Sequence, residues 1–255
     1  MIDDVDTPLP SGYELLWGLR ERPRRGPKPG LSIEGIVRAA IELADAEGLT
    51  AVSMSRVAAR LGFTPMSLYR YVESKNDLLS LMVDAIVSTP PPGDPVGPGW
   101  RPALENWTWV QITVLRQHPW ILQLPIVGPP LTPGQVAWIE KGLQILSVTS
   151  LTESEKVAVV GLLAAYALTE ARLNVDLTSA AVHADARGAP PPSYGDLLRR
   201  LIDAERFPAV HASVVAGAWD EPAEYTDDDA KFGLYRVLDG VEMLVERRAR
   251  EAAAR

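Results

Sequence analysis

The chain contains no cysteine. It can build neither a disulfide framework nor a thiolate metal site. Histidine occurs only at His118, His183 and His211. These are far apart, with no HExxH motif and no i, i+4 pairing, so neither a metal centre nor a cofactor is expected. There is no GxSxG, no P-loop and no GxGxxG opening a helix, and the carboxylates fall mostly on polar helix faces, so no enzyme is expected. No apolar segment comes near the ~20 residues of a membrane span. Residues 1–19 are acidic and lack the long apolar run of a secretory signal. The expectation is a soluble, cytoplasmic protein with no membrane partner. No stretch of any length alternates with strand period, so the expected fold is all-α.

What is present is enough apolar material, 47% of 255 residues, for two modest domains. The net charge of −8 sits badly with nucleic acid, but its distribution does not. Positions 20–75 hold ten Lys/Arg against six Asp/Glu, a balance of +4, whereas 89–255 hold fifteen against twenty-one, a balance of −6. A local basic face with an acidic remainder suits phosphate binding with weak non-specific affinity and marked salt dependence.

The organising stretch is SMSRVAARLGFTPMSLYRYVESK, residues 53–75. Val57, Ala58 and Leu61 give one short helix an apolar face, and Gly62 ends it. Phe63 is expected to plug the corner. Thr64 is placed to cap a second short helix, with Pro65 at its first position. Leu68 and Val72 turn inward, which points Met66 and Arg70 outward, flanked by Ser67 and Tyr69, with Tyr71 nearer the packed side. A helix this slim fits a DNA major groove about 12 Å wide. The same spacing also fits an αα-corner inside a larger helical protein.

Residues 31–88 resemble the DNA-binding domain of the tetracycline-repressor (TetR-like) family. IEGIVRAAIELADAEG and MSRVAARLGFTPMSLYRYVESKNDLL carry the likeness, with Leu68, Tyr69, Val72, Lys75 and Leu78 in the family's places. WRPALENWTWV, RQHPWILQL and FGLYRVLDGVE resemble the C-terminal domain of its tetracycline-responsive branch. The resemblance implies an N-terminal three-helix helix-turn-helix domain and a C-terminal helical domain for ligand binding and dimerisation. It also implies a ligand-responsive transcriptional regulator, most simply a repressor of a palindromic double-stranded operator. Ser55 and Arg56 would open the helix that crosses the DNA backbone. Thr64, Pro65, Met66 and Ser67 would read base edges, and Tyr69, Tyr71 and Lys75 would contact phosphate. Arg70 fits either a guanine or a phosphate.

In chain order, an acidic leader and a basic arm occupy 1–30. The run RERPRRGPKPG at 20–30 has five cations and three prolines, so it is no helix interior. Arg22, Arg24, Arg25 and Lys28 suit an arm lying in the adjacent minor groove; a merely hydrated linker is the alternative. The DNA-binding domain spans 31–88, with its motif at about 53–73, and helix starts at Ser32, Ser53 and Ser74. Five prolines and three glycines in 89–99 mark a stiff linker.

The ligand-binding and dimerisation domain fills 100–255. Its aromatics and scattered polar groups make Trp107, Gln111, His118, Trp120, Trp138, Tyr166 and Glu170 candidates for a pocket around a flat, largely apolar effector. Ordinary core packing would account for the same tryptophans. The longest apolar helix is expected over about 152–173. Two shorter helices, about 193–205 and 208–218, precede the last one at about 226–250. Phe232, Gly233, Leu234, Val237, Gly240, Val241 and Leu244 are candidates for a homodimer interface built as a four-helix bundle. Two other readings remain open. One is a DNA-binding regulator without a ligand; the other is an all-α interaction protein or enzyme with a degenerate head.

Overall fold

The computed structural model describes residues 13, 16–19, 30–88, 99–126, 128–185, 193–220 and 226–254. Arg22, Arg24, Arg25 and Lys28, the linker prolines and most of the N-terminal leader lie outside them. The described residues form α-helices and short 3₁₀ turns, with no strand among them.

The head comprises α1 (Ile33–Glu47), α2 (Met54–Leu61), α3 (Pro65–Tyr69) and α4 (Lys75–Val87). The caps follow the sequence. The hydroxyls of Ser32, Ser53 and Ser74 accept from the N–H groups of Gly35, Arg56 and Asp77, satisfying donors that the first helical turn leaves unpaired. Gly62 closes α2 in the left-handed region at φ 75°, where a Cβ would be strained. Thr64 departs from expectation. Its hydroxyl caps no backbone N–H and instead lies 3.0 Å from the Ser67 hydroxyl, spanning the first turn of α3 side chain to side chain. Phe63 also departs: its ring packs over Gly30 and stays partly exposed. Ile36, Ala40, Val57, Ala58, Leu68, Val72, Leu78 and Met82 seal the head instead, all nearly or fully buried. On α4 the buried face is Leu78, Leu81 and Met82, and Ala85 is exposed.

The body comprises α5 (Trp100–Gln117), a 3₁₀ turn (Pro119–Gln123), α6 (Pro133–Leu146), α7 (Glu153–Asp185), α8 (Tyr194–Leu201), α9 (Pro208–Val215) and α10 (Asp227–Ala253). α7 lies along α5 and also packs against α6 and α10. Capping boxes open α6 at Thr132/Gln135 and α10 at Thr226/Asp229, and the Thr152/Glu155 pair does the same for α7.

α7 runs twelve residues beyond its expected end at position 173. Its stretch Glu153–Ser179 is long and apolar enough to cross a membrane by length and composition, contrary to the expectation that no such segment exists. The physical reason is double duty. Val159, Val160, Leu163 and Ala167 are buried in this chain's core, while Val157, Leu162, Leu173 and Leu177 remain exposed on other sides. Both sets are apolar, so the helix shows almost no periodicity.

Head and body meet at three hydrogen-bonded points. His118 Nδ1 and the Trp120 indole N–H both lie against Asp45 Oδ1 of α1, at 2.8 and 2.7 Å. The Gly134 N–H donates to Asp84 Oδ1 of α4 at 2.7 Å. The Trp138 indole N–H donates to the Val87 carbonyl at the end of α4, also at 2.7 Å. A Cβ on Gly134 would fall 2.8 Å from Val87 Cγ2 and 2.9 Å from the Ser88 nitrogen, so only glycine lets α6 approach α4 this closely. From the leader, the Trp17 indole donates to the Leu131 carbonyl at 2.8 Å.

Candidate nucleic-acid interface and buried polar cluster

The short helix α3 is held by a single deep anchor. Leu68 is fully buried, and Val72 just beyond it is nearly so. Burying Leu68 contributes about 1.5–3 kcal/mol and fixes the rotation of the helix. With Leu68 inward, Met66 is 73% exposed, and Tyr69 and Arg70 are exposed beside it. Tyr71 also differs from expectation. It lies in the turn after α3 and is 40% exposed, because Val57, Ala58 and Leu68 already fill the corner.

The cations divide into two sets. Arg56 holds both carboxylate oxygens of Glu47 through Nη2, at 2.7 and 2.8 Å, and Arg60 pairs with Glu42 at 3.1 Å. These pairs brace α2 against α1, so Arg56 is a structural brace as well as a candidate backbone contact. Arg70 and Lys75 are exposed and form no ion pair among the described residues. The outer side therefore presents exposed Ser55, Thr64, Met66, Tyr69, Arg70, Tyr71 and Lys75, with Pro65 and Ser67 half-buried on α3. A short helix carrying hydroxyl, thioether and guanidinium groups, with tyrosines and a lysine at its margins, can enter a groove and grip both flanking backbones.

The seven ligand candidates do not form one pocket. His118 and Trp120 belong to the joint, where Trp120 is buried against the head's core. Trp107 and Trp138 stack obliquely, with ring centroids 6.1 Å apart, and the Trp107 indole N–H donates to the Trp138 carbonyl. Gln111 donates to the Trp107 carbonyl one turn back. Tyr166 and Glu170 lie apart from them, on α7, where the Tyr166 hydroxyl donates to the Ala230 carbonyl of α10 at 2.5 Å. Burial pushes the Glu170 carboxyl above the usual carboxylate range, against the Tyr166 hydrogen bond and the nearby Arg116 charge, which pull it down. Burial and the adjacent Glu170 push the Tyr166 phenol up as well.

Arg116 completes this cluster and was not among the candidates read from the sequence. A signal was present: Leu104, Thr108 and Ile112 are all buried, and Arg116 continues their four-residue spacing.

The dimer candidates also separate. Leu234 is fully buried in this chain's own core and offers a partner no surface, and Val241 is nearly so, reaching only the floor of the groove between α7 and α10. Gly233 accommodates Tyr166: a Cβ there would sit 2.5 Å from the Tyr166 Oη. Phe232 is 66% exposed and Gly240 faces open space. Together with Leu162 and Ala158 of α7, Gly240, Val237 and Leu244 line a shallow groove of about 430 Å³ between α7 and α10.

Comparison with known proteins bears on both halves. Residues 36–82 match the family described as bacterial regulatory proteins, tetR family. Residues 92–245 match the tetracyclin repressor-like C-terminal domain. The chain is 37% identical over 246 residues to the HTH-type transcriptional repressor DrrR1 of Streptomyces coeruleorubidus, covering 94% of this chain and 88% of that one. An HTH-type transcriptional regulator of Saccharopolyspora erythraea is 29% identical over 198 residues, covering 78% and 81%. Among solved structures, apo ActR of Streptomyces coelicolor superposes with a TM-score of 0.69 at 23% identity, covering 88% of this chain and all of that one. ActR in complex with actinorhodin gives a TM-score of 0.69 at 23% identity, over 86% and 98%.

Proposed function

The chain belongs to the tetR family of bacterial regulatory proteins, and on that footing we propose that it is a repressor released from a palindromic operator by a flat, largely apolar effector. It is a DNA-binding transcriptional regulator that acts as a homodimer and answers to a small molecule. Its relatives are regulators, not enzymes, and a DNA-binding regulator works where the DNA is, in the cytoplasm.

The observation that carries the DNA assignment is the bare outer side of α3: Leu68 fully buried, Met66 73% exposed. Thr64, Pro65, Met66 and Ser67 read base edges, largely through thymine methyls given how few hydrogen-bonding groups they carry. Arg70 adds a guanidinium for direct readout. Ser55, Tyr69, Tyr71 and Lys75 fix the register on phosphates, and the cationic composition of residues 20–30 suits the adjacent minor groove. Two copies joined through the exposed sides of α7 and α10 set the heads about 34–36 Å apart, one turn of DNA.

The effector enters the body between α5, α7 and α10, beside Tyr166 and Glu170. ActR, 23% identical to this chain, has been solved with actinorhodin and with (S)-DNPA. The effector acts through its different affinity for two head separations, only one of which matches the operator. The route from body to head is short: Trp107 bonds the Trp138 backbone, and Trp138 bonds the last turn of α4.

Selection of bound fragments from genomic DNA, followed by a release screen with small aromatic compounds, tests the reading. A palindromic consensus and at least one releasing compound are expected. Binding without sequence preference would overturn the repressor assignment, and failure of every compound across a broad library would overturn the effector.

A further inference from the structure

Arg116 of α5 is mostly buried, and its three nitrogens are unequally served. Nη1 donates to Asp227 Oδ1 at 2.5 Å, whereas Nε and Nη2 are buried without a partner. The two orphaned nitrogens are neighbours: Nε–H and the outer N–H of Nη2 point the same way along one edge of the planar guanidinium. That edge is the side-on fork that receives two coplanar oxygens at once. Glu170, 8% exposed, also keeps one buried oxygen, Oε2, unpartnered. Buried polar atoms without partners are uncommon in folded proteins, and each calls for a reason. Three of them within one cluster, among the elements α5, α7 and α10, are accounted for together if a ligand supplies the missing atoms.

The charges say which ligand. Asp227, which faces Arg116, is 60% exposed, so water screens its compensation of the guanidinium. Asp229 is committed to the Thr226 cap. Burial raises the Glu170 carboxyl, which weakens its compensation of the Arg116 charge. Around them, Ala167 and Ala171 flank Glu170 on α7, and Ala230 receives the Tyr166 hydroxyl; all three are fully buried. The surroundings are thus apolar, with one unsatisfied cationic fork.

We propose that the Nε/Nη2 edge of Arg116 is the recognition point for a carboxylate carried on a flat apolar effector. This rests on the effector reading above and gives it a chemical class.

Isothermal titration with 2-naphthoate and its neutral counterpart 2-naphthamide tests it on the full-length protein. At neutral pH, 2-naphthoate is expected to bind at least tenfold more tightly than the amide. Arg116→Gln, checked for fold by circular dichroism, erases that preference. Equal binding of acid and amide by the unmodified protein, or no binding of 2-naphthoate at millimolar concentration, would overturn the assignment without recourse to any variant. So would a preference that persists in Arg116→Gln. If compounds release the operator yet acids hold no advantage over neutral analogues, the effector reading stands and the Arg116 assignment fails. If nothing releases the operator, the effector reading itself fails.

Discussion

Asp45 of the head accepts the Trp120 indole N–H of the body at 2.7 Å, on the same Oδ1 that lies 2.8 Å from His118 Nδ1. Trp120 is 1% exposed and packs into the head's core, so this one carboxylate oxygen ties the α5–3₁₀ corner to α1. The corner begins right after α5, the helix that carries Arg116.

Asp45→Ala leaves a buried indole N–H unpaired, at a cost of about 1–3 kcal/mol. Trp120→Phe removes the donor as well as the bond and is expected to cost less. Both weaken effector-driven release more than operator affinity itself. Urea denaturation gives the first comparison, and operator anisotropy with and without a releasing compound gives the second. Release as complete as in the unmodified protein would show that the joint carries no coupling.

On the DNA face, Arg70→Ala is expected to lower the ratio of operator to random-DNA affinity, by about 1–3 kcal/mol if it reads a guanine. Lys75→Ala lowers both affinities alike and reduces the salt slope by about 1. Fluorescence anisotropy across a salt series separates the two. Equal losses on both DNAs for Arg70→Ala would move Arg70 to the phosphate-binding set.

The glycines of α10 make opposite predictions. Gly233→Ala forces a Cβ against Tyr166 and lowers the stability of each protomer, visible as a drop in melting temperature. Gly240→Arg meets open space within the protomer but fills the groove beside Leu162, so the protomer stays folded and the dimer weakens. Light scattering on the Gly240 variant would show a single chain at micromolar concentration; an intact dimer would place the interface elsewhere.

Two carboxylates give stability opposite dependences on pH. Hydrogen bonds from Arg248 and Thr152 hold the Glu155 carboxyl at about 2, below its usual 4.5. Its contribution is therefore present above about 4.5 and lost as pH falls toward about 2. Glu170 is raised, so the folded chain holds its proton more tightly. That contribution is greatest below the usual carboxylate pKa and declines as pH rises through the raised value. Glu155→Gln should flatten the acid limb of a stability–pH curve, whereas Glu170→Gln should stabilise the protein near neutrality. Unchanged curves for both variants would show that neither group is linked to folding.

By itself the sequence determined the local structure: Ser32, Ser53 and Ser74 as caps, Gly62 as a left-handed stop, and the rotation of α3 about Leu68. Each depends on neighbours within about four residues, whose spacing a linear text preserves. It also carried the family, because the head's motif is local. Only the tertiary structure decided which side of α7 and α10 is core and which is surface. Leu234 and Val241 turned inward, Gly233 received Tyr166, and Phe63 and Tyr71 were left outside. An apolar residue reads the same whether its own chain or a second copy covers it. The tertiary structure alone also brought Asp45 to Trp120, and Arg116 to Glu170, across separations of 75 and 54 positions. Sequence spacing gives no sign of such pairings, because they follow from how the helices cross and not from any period along one of them.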